Sequence, residues 1–392
     1  MLRGDNEEYM IDEYYWYWIN NITGISNAKL RHIFNVFDNP REVYGASDRV
    51  LGSVRGITDR DVQAIIHNRK DEHIYKEYCT LADKKIRFTY PGKPDYPSKL
   101  MNIYDYPYIL YYKGRLPDEN RPAVAIVGAR NCTEYGRSIA EYFAKAYAAM
   151  GIQVISGMAL GIDAAGQKGA IQSGGYSLAV LGCGVDICYP RTNIELYSQL
   201  ETSGGILSEY AVQTPPRAGQ FPLRNRIISA LSDALIVVEA RKKSGSLITA
   251  DQALEQNKDV YVVPGRIGDA LSEGCMQLIK EGADIITRPE DIYSTKIIDS
   301  YINANCMIEK QPDNSASGQA DINAGKVHFG KSGLASPKNM VYSQINLFPV
   351  SLETIIKNSG IGLVEAEGLL LELELEGLID EVSKNYYVRK HI

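Results

Sequence analysis

Six short apolar runs, none carrying a charge, recur between residues 123 and 263: Ala123 to Val127, Gln153 to Ser156, Tyr176 to Leu181, Gly205 to Ser208, Ala234 to Val238 and Val260 to Val263. They are continuous rather than alternating, the pattern of strands buried on both faces, and such strands are parallel ones flanked by helices. Stretches with helical character separate them: Gly136 to Met150, Asp163 to Ser173, Asn193 to Thr202, Pro222 to Leu231, Ser246 to Gln256 and Met276 to Glu281. Alternation of this kind predicts an α/β domain of the Rossmann-like, doubly wound type, with a parallel sheet covered on both sides.

At 392 residues the chain exceeds what one core usually holds, so further domains are expected. Residues 1–83 read as short helices punctuated by glycine. Ile22-Thr-Gly-Ile25 before Ser26 and Val54-Arg-Gly-Ile57 before Thr58 repeat one grammar, a glycine turn leading to a residue able to cap the next helix. That is helix-hairpin-helix (SAM-like) grammar, in which helix N-terminal amides can meet a DNA phosphate. Here Asp59 and Asp61 put negative charge where the phosphate would sit. The aromatic run Tyr14 to Trp18 is taken as core. Residues 84–300 hold the α/β domain, preceded from Lys85 to Gly114 by a connecting lobe rich in proline and tyrosine. Residues 301–343 contain a run, Glu309 to Met340, of small polar residues without aliphatic periodicity, the composition of a disordered linker. Residues 344–392 read as helix, helix and a hairpin about Ser383 to Asn385, a winged helix.

Net charge is −6, so no global attraction to nucleic acid or membrane is expected and any anion site must be local. The six cysteines show no CxxC pair and no neighbouring histidines, which fits reduced thiols and neither a disulfide frame nor a metal site. No apolar run has the length of a membrane span, and Met1 to Asp12 is acidic where a signal peptide would be basic and then apolar. A cytoplasmic location is the expectation.

In open α/β sheets ligands bind beyond the carboxyl ends of the strands. The segments there are Gly128-Ala-Arg130, Ser156-Gly157 through Asp163, Gly182 to Asp186 with Tyr189 to Asn193, Glu209 leading to Gln220-Phe-Pro-Leu-Arg-Asn-Arg-Ile-Ile-Ser229, and Glu239 through Lys243-Ser-Gly-Ser246 to Thr249. Glycine lets amides approach phosphate, hydroxyls donate, and arginine forks onto phosphate oxygens. The candidate anion-binding residues are therefore Gly128, Arg130, Ser156, Gly157, Arg191, Asn193, Phe221, Arg224, Asn225, Arg226, Lys243, Ser244, Gly245, Ser246 and Thr249. Phe221 can be core or can stack an unpaired base. All five histidines lie outside residues 122–291, which removes imidazole from any acid–base chemistry there. Asp163, Asp186, Glu209 and Glu239 are expected to fix loop amides and arginines. The first βα turn lacks GxGxxG, so neither a dinucleotide nor another cofactor is expected.

These segments resemble the DprA/Smf family, the DNA-processing proteins of bacterial natural transformation. The resemblance rests on Gly128-Ala-Arg130, Ser156-Gly-Met-Ala, Gly161-Ile-Asp163, Ala179 to Asp186, Tyr189-Pro190, Phe221 to Ile228, Val238-Glu-Ala240, Ser244 to Ala250 and Val263-Pro-Gly265, in order, over about Tyr96 to Asp291. It implies single-stranded DNA binding without a chemical reaction, with Arg130 and Arg191 at phosphates and Arg224, Arg226 and Phe221 lining the pocket. It also implies a homodimer that loads a RecA-type recombinase onto strands coated by single-strand-binding protein. The chain departs from the family pattern at Gln167, where His is usual, and at Met276, where Asn is usual. The second helix of the winged segment, Val364 to Glu376, carries five glutamates and no base, so protein and not DNA is its expected contact. The competing class is a nucleotide phosphoribohydrolase of the lysine-decarboxylase-like group. That enzyme needs Pro-Gly-Gly-x-Gly-Thr and a following glutamate, whereas this chain has Ser244-Gly-Ser-Leu-Ile-Thr and a distant Glu255.

Overall fold

The alternation of apolar strands and helices is realised in the computed structural model, which describes residues 4–308, 337–345 and 350–389. The chain divides into one unit running to Asn305 and a second from Cys306. In the first, helices α1 (Gly4–Asn20), α2 (Asn27–Phe34), α3 (Pro40–Gly45), α4 (Asp48–Gly52), α5 (Asp59–Asn68) and α6 (Glu72–Thr80) precede the sheet. Tyr17 and Trp18 are buried, and Trp16 stacks on Tyr90 with ring centroids 4.8 Å apart. The helical segment has no core of its own: Tyr17, Trp18 and Ile33 cluster with Tyr111, Met158, Leu181 and Ile206 of the α/β part. Thr58 caps α5 in a reciprocal box with Asp61, whose carboxylate also meets Lys29 Nζ at 2.6 Å. Asp61, the acid expected to oppose a phosphate there, is thus held in place by its own fold.

The α/β elements follow as β1 (Arg87–Thr89), β2 (Leu110–Gly114), β3 (Ala123–Val127), α7 (Glu134–Ala149), β4 (Gln153–Ser156), α8 (Ile162–Gln172), β5 (Ser177–Val180), α9 (Ile194–Ser203), β6 (Gly205–Ser208), α10 (Gln220–Leu231), β7 (Ala234–Val237), α11 (Gly245–Glu255), β8 (Asp259–Val262), α12 (Glu273–Lys280), β9 (Asp284–Ile285) and α13 (Lys296–Ile308). Strand order is β1-β2-β6-β5-β4-β3-β7-β8-β9, parallel from β6 to β9. The connecting lobe also extends this sheet, β2 pairing antiparallel with β6 and β1 with β2. Its tyrosines explain why: Tyr111 and Tyr112 are both buried, one on each side of β2, so the segment packs as an inner strand would. Ile126 faces Gly166 of α8, while Ala125 and Val127 cluster with Ile227 and Leu231 of α10 and Ala250 of α11, so both faces are covered. The chain winds outward from β3 to β6 and then returns to the opposite side of β3 as β7. Between β3 and β7, therefore, lies the switch point at which successive connections leave in opposite directions.

The linker expected at 301–343 falls largely, at residues 309–336, outside the described residues. Its flanks are helical: Ile298 of α13 is buried, and α14 (Pro337–Gln344) belongs to the second unit, with Val341 in its core. There β10 (Val350–Ser351), α15 (Leu352–Ser359), α16 (Leu363–Leu375), β11 (Ile379–Ser383) and β12 (Tyr386–Arg389) follow, the strands ordered β10-β12-β11. Gly360, at φ 70°, ends α15 in the left-handed conformation that glycine adopts without cost. Lys338 of α14 meets Glu376 at 2.6 Å and Glu372 at 3.5 Å, while Val364, Leu371 and Leu375 of α16 remain exposed.

Candidate nucleic-acid interface

At the carboxyl ends of β3 and β7 the loops part to leave a cleft of about 620 Å³. One wall is formed by residues 128–131 after β3, with Ala159 and Asp163. The other is formed by Arg241 and Lys243 to Ser246 after β7, and Phe221, Pro222, Arg224 and Asn225 of α10 fill the side between them. Four cations line it, Arg130, Arg224, Arg241 and Lys243, against one acid, Asp163. Burial pushes the Asp163 carboxyl upward against the opposing pull of Arg224, and the group accepts the Gly157 amide at 3.1 Å. The cleft is electropositive in a protein that is acidic overall.

Three of the expected residues present free chemistry to this space. Arg130 is exposed, pairs with no carboxylate among the described residues, and sets its guanidinium 5.5 Å from the centre of the Phe221 ring. Phe221 rests on Gly182, where an added Cβ would come within 2.9 Å of the ring, and Tyr189 lies beside it, 5.5 Å between centroids. Lys243 is exposed at the start of α11, whose cap is Ser244, with its Oγ toward the Ser246 amide at 3.4 Å and the Ser246 hydroxyl at 2.7 Å. Gly128, Gly245 and Thr249 complete the lining, with Thr249 Oγ1 donating back to Gly245 O at 3.4 Å. Asn225 lies beside them, its amide toward Gly245 O at 3.4 Å and its oxygen accepting from Arg224 Nε at 3.1 Å.

The other expected contacts are structural. Arg224 is only 4% exposed; its Nη1 donates to Gly157 O at 3.0 Å and also to Val180 O, so it props the floor of the cleft from within. Burial lowers it to about 10, which leaves it charged at neutral pH. Arg226 does not reach the cleft. Two residues further along α10, it points about 200° round the helix from Arg224, where Nη1 and Nη2 fork onto Glu209 at 2.8 and 2.7 Å and Nε meets Asp105 at 2.6 Å. Ser156 Oγ donates to Ile126 O at 2.6 Å inside the sheet, and buried Asn193 ties its loop to Met158 O at 3.0 Å. Arg191 is exposed on the turn Arg191–Asn193 and lines no part of the cleft.

The carboxylates hold the loops. Glu239, just beyond β7, accepts the Thr133 amide at 2.9 Å and the Thr133 hydroxyl at 2.5 Å, reaching across the switch point to the cap of α7; Gly136 is small there because a Cβ would lie 2.4 Å from the Glu239 carboxyl carbon. Asp186 accepts the Gln213 amide at 2.9 Å. Gln167 bridges Met158 N and Leu178 O, each at 3.0 Å, wholly buried behind the loop; half-buried Met276 does not line the cleft. Neither of these residues lines the cleft. Sequence reasoning missed Tyr189 and Arg241 as lining residues, although both stand in loops that follow strands. Glu255 sits exposed at the far end of α11, away from the cleft. No helix among the described residues is long and apolar enough to cross a membrane.

Comparison with known proteins agrees with this geometry. A family model described as DNA recombination-mediator protein A matches residues 87–296. The chain is 30% identical to Protein Smf of Synechocystis over 394 residues, 97% of this chain and 99% of that protein. It is 35% identical to DNA processing protein DprA of Streptococcus pneumoniae over 274 residues, 69% of this chain and 93% of that one. The X-ray structure of DprA from Streptococcus pneumoniae superposes with a TM-score of 0.63 at 33% identity, covering 72% of this chain and 97% of that one. The family model spans the sheet with its cleft, and the alignment with Smf runs nearly from end to end. The chain belongs to the DNA recombination-mediator protein A family, the DprA/Smf proteins.

Proposed function

We propose that the chain binds single-stranded DNA in the cleft at the β3/β7 switch point and presents it to a RecA-type recombinase, as a homodimer and without a chemical step of its own. Strands delivered already coated by single-strand-binding protein are the expected substrate, in the cytoplasm. The observation that carries this reading is Phe221, set beneath Arg130 and beside the ring of Tyr189. Arginine and lysine serve the backbone of any nucleic acid, whereas an aromatic face inside a cleft favours a base that has left its duplex and can stack on it. The acidic second unit, with the element order of a winged helix, is assigned to protein contact, because glutamates along α16 repel phosphate.

Fluorescence anisotropy with labelled single-stranded and duplex oligonucleotides across a salt series tests the reading. The single strand binds more tightly, and Arg130→Ala lowers the dependence of log affinity on log salt by about 0.7, the share of one phosphate contact. Phe221→Ala costs about 1–3 kcal/mol of single-strand binding, the worth of one stacked base, and leaves duplex binding unmoved. Equal affinity for both forms, or an Arg130→Ala protein indistinguishable from wild type, refutes it.

A further inference from the structure

The cleft does not end at Arg130. A second cavity of about 500 Å³ opens on the other side of the same loop, sharing Arg130 and Asn131 with the first and continuing between the starts of α7 and α8. Its remaining charged lining is Arg137 and Glu141 of α7 and Lys168 of α8. The sequence reading drew none of the last three to the site. They converge because Gly169 lets the two helices touch: a Cβ there would lie 2.8 Å from Glu141 O. That close crossing brings Lys168 beside the α7 face carrying Arg137 and Glu141, which are one turn apart. Lys168 is half-buried and pairs with no carboxylate among the described residues, and Arg137 commits only Nε, to Glu134 at 3.3 Å, leaving the two terminal nitrogens of its fork. Three cations against one carboxylate leave the cavity positive by two.

We infer that this cavity is a second phosphate subsite, in which Arg137 and Lys168 hold backbone phosphates of the same strand after it passes Arg130, so that Arg130 is the middle of the track and not its end. The inference rests on the cleft being the strand-binding site. Of the ligand, only the phosphodiester backbone is recognised: the lining holds no aromatic ring for a base, in contrast to the first cavity with Tyr189 and Phe221. A strand crossing both would be read as stacked bases on one side of Arg130 and as bare backbone on the other.

The test uses the full chain with oligothymidylates of about 4 and about 16 nucleotides, the span of single-strand site sizes. In Arg137→Ala/Lys168→Ala the longer strand binds about tenfold more weakly near physiological salt, and its log–log salt slope falls by about 1.4, two contacts' worth. Affinity for the shorter strand, which the first cavity satisfies, is unchanged. Arg137→Lys/Lys168→Arg restores the longer strand, and Glu141→Gln, which removes the one acid, tightens it. Both alanine positions are on half-exposed helix surface, so the melting temperature serves as the check that the fold persists. If the double alanine variant binds the longer strand with wild-type affinity and slope while Arg130→Ala weakens it, the second subsite is refuted and the first stands. If Arg130→Ala also leaves binding intact, the cleft itself is not the site and both readings fall.

Discussion

Replacing Arg226 by alanine separates holding the protein together from holding DNA. The guanidinium is 7% exposed and satisfies two carboxylates at once, forking onto Glu209 and reaching Asp105. Glu209 is itself 12% exposed, so removing Arg226 strands a buried charge, whereas Asp105, at 46%, can turn to water. Breaking a buried pair in this way costs about 3–5 kcal/mol. At roughly 2–4 °C per kcal/mol for a unit of this size class, the melting temperature of Arg226→Ala falls by roughly 6–20 °C. Arg226→Met/Glu209→Met, which removes both charges and keeps volume, recovers most of that loss. Thermal unfolding followed by circular dichroism measures all three proteins, and anisotropy at a temperature where each is folded measures their single-strand affinity. The structure places Arg226 outside the cleft, so affinity stays near wild type while stability drops. An Arg226→Ala protein that melts within about 2 °C of wild type yet loses DNA would overturn the assignment of this arginine to the scaffold.

Gly157→Ala would set a Cβ 2.6 Å from Arg224 Nη2, whose guanidinium is pinned to Gly157 O and Val180 O and cannot swing aside. A loss of about 1–3 kcal/mol in chemical denaturation is expected, and an unchanged midpoint would show that Arg224 is not fixed. Asp291 is held at about 2, below its ordinary 3.8, first by the Thr287 amide and then by the Arg288 side chain and amide. A carboxyl depressed on folding stabilises fully above its unfolded value and loses that contribution as the pH falls through the folded one. The melting-temperature gap between wild type and Asp291→Asn is therefore constant above about pH 4 and closes toward about pH 2; a gap that stays constant down to that pH sinks the account. Tyr147 is buried with its hydroxyl unpartnered among the described residues, so Tyr147→Phe leaves stability unchanged or raises it by up to about 1 kcal/mol. A fall larger than that would reveal a partner for the hydroxyl.

The sheet was legible because its strands are buried on both faces and so carry an unbroken apolar signature, as β3 does from Ala123 to Val127. Arg130 and Lys243 were legible because position after a strand in an open sheet decides where a side chain emerges. Charge within a helix was not. Arg224 and Arg226 look equivalent in a list of residues, yet a spacing of two on α10 turns one under the cleft floor and the other toward Glu209. Nothing local in the sequence reveals that Gly157 and Gly182 are small to admit Arg224 and Phe221. The pairing of β2 with β6 was equally hidden, since it joins residues about ninety positions apart through five-residue and four-residue segments too short to show a period.

Glu239 gives the interface a property beyond binding. By gripping Thr133 from the far side of the switch point it acts as a caliper, fixing the gap between the two banks of loops before any ligand arrives. A jaw set at one width spends little on closing, so tightness follows from fit and not from rearrangement. On the proposed reading, a single strand that fits the gap would gain that advantage at every encounter, and any ligand that needs a wider gap would first have to pull the Glu239 carboxylate from its two Thr133 donors.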